Sequence, residues 1–164
     1  MVSTVCGASW WDRKKTSEQV TGHGFSLCEF EFARHYDAAV ALWSQSGPGI
    51  HVGRSDSPEE IMKKLNRDPD LFLVAETGGK LIGTVIGGYD GRRGMVYHLA
   101  VQPDQRRKGV GRALMAELER RLRARGCIRS YLMVVPGNQA VADYYQSLGW
   151  EVLPVITYAK DLSE

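Results

Sequence analysis

The segment Leu99-Ala100-Val101-Gln102-Pro103-Asp104-Gln105-Arg106-Arg107-Lys108-Gly109-Val110-Gly111-Arg112 runs from an apolar strand through a basic glycine loop into an amphipathic helix. Residue types in that order build an anion cradle. Gly109 and Gly111 let the backbone approach a ligand closely, and the helix start behind them aims unpaired N–H groups and a partial positive charge at it. A phosphate or pyrophosphate is the natural occupant. Spacing excludes two nucleotide motifs: a dinucleotide fingerprint needs a third glycine where Leu114 stands, and a P-loop needs four residues between its glycines and a following Lys-Ser or Lys-Thr. A solvated charge run ahead of a helix is the plainer reading, and it leaves the two glycines unexplained.

The elements that must position this loop follow from periodicity. Cys28, Phe30 and Phe32 alternate with Leu27, Glu29 and Glu31, which predicts a half-buried strand from Ser26. A first helix is predicted over residues 37–45, with Asp37 as N-cap and Gly47 just past its end. Ser57-Pro58-Glu59-Glu60 reads as a capping box with Pro at the first helical position, opening a second helix with Ile61, Met62 and Leu65 as its stripe, ended by Asp68-Pro69-Asp70. Residues 71–76 and 80–88 flank Thr77-Gly78-Gly79 as a hairpin, and a turn over 90–94 leads into a third antiparallel strand over 95–101. The helix behind the glycine loop carries Val110, Ala113, Leu114, Leu118 and Leu122 on one face and closes at Gly126. A strand over 129–135 precedes a last helix over 138–147, with Asn138 as N-cap and Gly149 at its stop, and one or two strands over 150–160 around Pro154 end the pattern. Residues 1–24 show no sustained period and read as an N-terminal extension in which Trp10 and Trp11 could dock onto the body, which leaves 25–164 as the domain.

With 164 residues, 43% of them hydrophobic, and a formal charge of +2, the chain fits one globular domain with a sizeable core. So small an excess of positive charge argues against a dedicated nucleic-acid binder. Cys6, Cys28 and Cys127 are odd in number and form no CxxC pair, so neither a disulfide framework nor a metal site is expected. No apolar run approaches the roughly 18 residues of a membrane span, and no secretory pattern opens the sequence. No membrane association is expected, and a cytoplasmic location is.

Two separated segments resemble the GNAT superfamily of acyl-CoA-dependent N-acetyltransferases. Arg106-Arg107-Lys108-Gly109-Val110-Gly111 matches the R/Q-x-x-G-x-G/A motif, and Asn138, Tyr145, Gly149 and Trp150 match N-x-x-A-x-x-x-Y-x-x-x-G-F/Y/W, with Val141 where Ala is commoner. The phrase over residues 83–94, GTVIGGYDGRRG, is similar to the YpeA-type bacterial acetyltransferases in particular. The resemblance spans roughly residues 26–162. It implies a mixed α/β fold: a central, mostly antiparallel, twisted sheet of six to seven strands, splayed between strands four and five and flanked by about four helices. It also implies acetyl-CoA as cosubstrate, no metal, and an amine-bearing small molecule, peptide or protein as acceptor, attacked directly in a ternary complex. Dimers are common in the family, so a homodimer is a further expectation.

Carried onto this chain, the resemblance implies that backbone N–H groups across Arg106, Arg107, Lys108, Gly109, Val110 and Gly111, with Arg112 behind them, bind the coenzyme pyrophosphate. Leu99, Ala100 and Val101 would pair with the pantetheine arm, and an N–H of Leu99 or Ala100 would stabilise the carbonyl oxygen as it becomes an oxyanion. Asn138 would hold the pantetheine or only cap its helix. Tyr145 stands where the family places the acid that protonates the leaving thiolate; packing beside Val141 and Leu148 is its plainer role. The family's fifth-strand Glu base is missing, because Tyr131-Leu132-Met133-Val134-Val135 carries no carboxylate. Glu76, Tyr97 and His98 are the candidates near the expected cleft. His98 has the most suitable intrinsic pKa for a base, although a strand His also serves simply in packing. Tyr89, Asp90 and Arg92 fit either substrate contact or turn formation. Two other classes stay open at this point: a non-catalytic acyl-CoA-binding regulatory module, favoured by the missing carboxylate, and nucleic-acid binding through the Arg-rich loop.

Overall fold

The computed structural model describes residues 24–47 and 49–162; the extension over 1–23, with Cys6, Trp10 and Trp11, lies outside the described residues. Five strands form one sheet in chain order: β1 (Ser26–Glu29), β2 (Phe72–Thr77), β3 (Lys80–Tyr89), β4 (Gly94–Val101) and β5 (Ser130–Tyr131). Neighbours are antiparallel except β4 and β5, which are parallel. Four α-helices flank the sheet: α1 (Phe32–Ser44), α2 (Pro58–Arg67), α3 (Val110–Ala124) and α4 (Gln139–Ser147).

Both faces of the sheet are covered. Leu27 packs into the cluster shared with Leu114, Leu118 and Leu122 of α3, while Phe30 packs with Ala39 and Trp43 of α1 on the other side. β1 stops at Glu29, and α1 starts at Phe32, more than a turn before the expected cap at Asp37. No side chain caps α1 at Glu31; the Glu31 N–H instead donates to Nδ1 of His35, at 2.8 Å. The cap of α2 is half of the expected box. Ser57 Oγ accepts from the Glu60 N–H at 3.4 Å, but the Glu60 carboxylate turns to Lys63.

The sheet has five strands among the described residues, not the six to seven expected. Residues 151–162 form no strand. Pro154 supplies no N–H, and the Val155 N–H donates to the carbonyl of Leu153 at 2.9 Å, a local closure that takes the chain out of an extended ladder. Val152, Val155, Ile156 and Tyr158 consequently stay exposed. β5 is also shorter than the 129–135 segment predicted for it, because only Ser130 and Tyr131 find partners, opposite Gly94 and Met95 of β4.

The seat of α3 on the sheet is set by two glycines on one face of β3. A Cβ on Gly83 would lie 3.1 Å from Leu114 Cδ1, Val110 Cγ1 and the Ala100 carbonyl, and one on Gly87 would lie 2.4 Å from Leu118 Cδ1. The other end of α3 is tied down by charge. Arg121 reaches the Glu29 carboxylate and the Asp70 carbonyl, and Arg125 pairs with Asp68 and Asp70, so the end of the helix is fastened to the start of the sheet. Gly87→Ala should therefore press α3 off the sheet, destabilising the domain by about 1–3 kcal/mol, a fall of roughly 2–12 °C in melting temperature measured by circular dichroism.

Candidate active site

The register of β3 against β4 breaks once. Thr84 faces Ala100 and Ile86 faces Tyr97, so His98 and Leu99 together oppose Val85. This is a β-bulge, and His98 adopts a left-handed conformation, φ 50°, to form it. Buried groups hold it there. The Thr84 hydroxyl donates to the His98 carbonyl at 2.9 Å, the Trp43 indole N–H donates to Thr84 Oγ1 at 2.9 Å, and the Trp43 ring meets the His98 ring edge-on at 4.6 Å. β4 and β5 pair only at their first residues, before the bulge, and from there they part.

A cavity of about 1590 Å³ lies beside β4 and β5, with His98, Tyr97, Asp56, Asn138 and Tyr145 in its wall. Asp56 is a residue that sequence reasoning passed over. It ends a 3-10 turn, Arg54–Asp56, and is 4% exposed. Its Oδ2 accepts from the Gly53 N–H at 2.9 Å, its carbonyl accepts from the Tyr36 hydroxyl, and its Oδ1 lies 3.0 Å from His98 Nε2. The last contact is of ion-pair length but off the axis of a ring N–H, and Nε2 makes no aligned hydrogen bond. Nothing in Ser55-Asp56-Ser57 marks this role. The partnership is set across the chain by the bulge.

α4 joins the cavity to the glycine loop. Tyr145 lines the cavity and packs edge-on against Trp150, whose indole N–H donates to Glu119 of α3. Burial, with a smaller contribution from Tyr144, pushes the Tyr145 hydroxyl up to about 12. Tyr144 turns the other way: its buried, unpartnered hydroxyl lies 2.9 Å from where a Cβ on Gly111 would stand. Asn138 does not use its side chain as a cap, and its amide faces Gly49 in the loop after α1.

The loop itself turns through two left-handed residues, Arg107 with φ 64° and Gly109 with φ 85°. Arg106, Arg107, Lys108, Gly109 and Arg112 are exposed, and no acidic residue occupies the first turn of α3. Arg106 Nε bonds the Val101 carbonyl at 3.2 Å, which fastens the loop to the end of β4. Ala100 is buried, while Leu99 and Val101 are half-buried. The structure thus brings His98, Asn138 and Tyr145 together in one cavity, while residues 106–112 form a separate surface that meets α4 at Gly111.

Glu76 is not in the cleft. It sits at the far end of β2, where it accepts from Arg34 at 2.7 Å and from Cys28 Sγ at 3.6 Å, and it lies 3.2 Å from His35 Nε2. With Nδ1 of His35 already accepting from Glu31, the imidazole is committed as the neutral Nε2–H tautomer, and burial holds its pKa below the ordinary value. Burial, and then Glu76, pushes the Cys28 thiol up to about 11. This Cys28, His35 and Glu76 group is the one cluster among the described residues with ligand-like spacing, and its donors are already engaged with one another and with Arg34. In the hairpin turn, Asp90 takes the backbone N–H groups of Arg92 and Arg93 on its Oδ1, the turn-forming role of the two considered. No helix among the described residues is long and apolar enough to cross a membrane.

Comparison with known proteins identifies the family. The model of the acetyltransferase (GNAT) family matches residues 32–150. An acetyltransferase of Pectobacterium atrosepticum is 44% identical over 129 residues, covering 79% of this chain and 90% of the relative. Among solved structures, Ard1 of Thermoplasma volcanium superposes with a TM-score of 0.70 at 21% identity, covering 79% of this chain and 84% of that one. AAC(6')-Iy, in complex with the bisubstrate analogue CoA-S-monomethyl-acetylneamine, superposes with a TM-score of 0.66 at 22% identity, covering 84% and 98%. A bulged fourth strand, a parting from the fifth and a glycine loop opening α3 are therefore found in a chain that belongs to the GNAT family of acetyltransferases, an acyltransferase enzyme with a mixed α/β fold.

Proposed function

We propose that the chain transfers an acetyl group from acetyl-CoA to a primary amine by direct attack within a ternary complex. The observation that carries this reading is the bulge at His98 and Leu99, which parts β4 from β5 beside a cavity holding Tyr145, next to an anion cradle. Residues 25–164 are the catalytic domain in this reading, with 1–24 ancillary.

The residues at the cradle fit the coenzyme. The first N–H groups of α3 have no partner within the helix, Arg107 and Gly109 ahead of it are left-handed, and no acidic residue occupies its first turn. Backbone amides over Arg106, Arg107, Lys108, Gly109, Val110 and Gly111, with Arg112, hold the pyrophosphate. Leu99, Ala100 and Val101 offer main-chain partners to the pantetheine amides where β4 has lost β5, and Asn138, whose side chain caps nothing, adds a polar contact.

A thioester is electrophilic enough for a neutral amine to attack it, so no Ser or Cys nucleophile enters. His98 takes a proton from the amine nitrogen as the C–N bond forms, and an N–H of Leu99 or Ala100 stabilises the oxyanion. The C–S bond then breaks, and Tyr145 gives its hydroxyl proton to the thiolate sulfur. His98 afterwards releases its proton to water, and Tyr145 regains one. A hydroxyl pushed up to about 12 stays protonated throughout the neutral range, the form that an acid requires.

Three outcomes check this reading. Isothermal calorimetry should give saturable binding of acetyl-CoA, and tight binding of neither acetyl-CoA nor CoA refutes it. Tyr145→Phe should bind acetyl-CoA as the wild type does, with kcat for CoA-thiol release across a panel of dipeptides, lysine, spermidine and an aminoglycoside reduced by on the order of 10²-fold. Because the hydroxyl stays protonated until the pH nears about 12, the wild-type profile should show no alkaline fall at the ordinary tyrosine value of about 10 that Tyr145→Phe abolishes.

A further inference from the structure

We propose that Asp56 is a positioning residue for His98, so that the base of the reaction is a dyad assembled between the loop ahead of α2 and the bulge of β4. The inference rests on the acetyl-transfer reading and assigns a role to a carboxylate that no motif marks.

Asp56 is buried where a carboxylate is costly unless it is paired. Oδ2 is satisfied by the Gly53 N–H, and Oδ1 lies 3.0 Å from His98 Nε2, the one ring or cationic nitrogen within ion-pair distance of it among the described residues. The main chain of Asp56 is pinned independently by the Tyr36 hydroxyl on its carbonyl. His98 is pinned from the opposite side, its carbonyl by Thr84 and its ring by the Trp43 edge. Two rigid elements, more than forty residues apart in sequence, thus present a carboxylate oxygen and an imidazole nitrogen to each other at the wall of the cavity.

The consequence for proton transfer is directional. Nε2 is enclosed, while the imidazole side chain as a whole keeps 18% of its surface open. A carboxylate facing Nε2 holds the neutral ring as the Nε2–H tautomer, which leaves the lone pair on Nδ1 for the amine proton. Once Nδ1 has accepted that proton, Oδ1 stabilises the imidazolium. Asp56 touches neither amine nor thioester. It acts through His98 alone.

A double-mutant cycle tests this, read as kcat and KM for CoA-thiol release with the best acceptor of the panel above. Gly replaces His98 because it takes a positive φ freely and keeps the bulge. His98→Gly should lower kcat by on the order of 10²-fold, and Asp56→Asn by about tenfold or more, each leaving KM for acetyl-CoA within about twofold. The decisive arm is the double variant: adding Asp56→Asn to His98→Gly should change kcat by less than about twofold, and millimolar imidazole should restore activity to His98→Gly. Tyr36→Phe, which loosens Asp56 without touching its carboxylate, should lower kcat in the wild type and not in His98→Gly, and it serves if Asn at 56 unfolds the loop. Losses that add in full across the cycle, or an Asp56→Asn enzyme with unchanged kcat, overturn the dyad and leave acetyl transfer standing. A wild type that binds acetyl-CoA but releases no thiol with any amine overturns the acetyl-transfer reading, and the dyad with it.

Discussion

His98 adopts a backbone conformation that an L-residue other than glycine enters at a cost of about 1–3 kcal/mol, and it is held there by groups that are themselves buried and satisfied. The hydroxyl of Thr84 is the joint. It accepts from Trp43 on the helical side of the sheet and donates to the His98 carbonyl on the strand side, using both of its capacities inside the core. From this joint follow the register break in β4, the early end of its pairing with β5, and the presentation of the imidazole at the cavity wall. A straight β4 would continue alongside β5 and close the gap between them.

The second constraint is the closeness of α3 to β3. Glycines at 83 and 87 let Val110, Leu114 and Leu118 settle onto the strand, and the arginines at 121 and 125 fix the far end of the helix. The start of α3 is thereby placed at the end of β4, where Arg106 ties the loop to the Val101 carbonyl. The glycine loop and the bulge are therefore referenced to the same two strands. Their spacing is a property of the core, and surface side chains such as Arg107 and Lys108 contribute charge to it without setting its geometry.

Legibility in the sequence tracked the range of the interactions involved. Turns and helix stops written in neighbouring residues were readable: Gly78-Gly79 between β2 and β3, Asp90 in the next turn, Gly126 after α3 and Gly149 after α4. Elements whose limits depend on distant partners were not. α1 begins early because His35 satisfies the Glu31 N–H, β5 is cut short where β4 bulges, and the one or two strands expected over 150–160 find no ladder. Within the site, the glycine loop and Tyr145 stood out as motifs. Glu76 was misplaced because a carboxylate on a strand says nothing of which end of the sheet it occupies, and Asp56 escaped notice because its partner is a histidine forty-two positions away.

Trp43 stands edge-on to His98, and Trp150 stands edge-on to Tyr145. An indole thus neighbours each of the two groups assigned to move protons, and the two indoles differ in setting: Trp43 is wholly enclosed, whereas Trp150 is bonded to Glu119 at the end of α4. Trp43 gives its N–H to Thr84 and Trp150 gives its N–H to Glu119, so each ring is held by both a hydrogen bond and an aromatic contact, and turning either one breaks the two together.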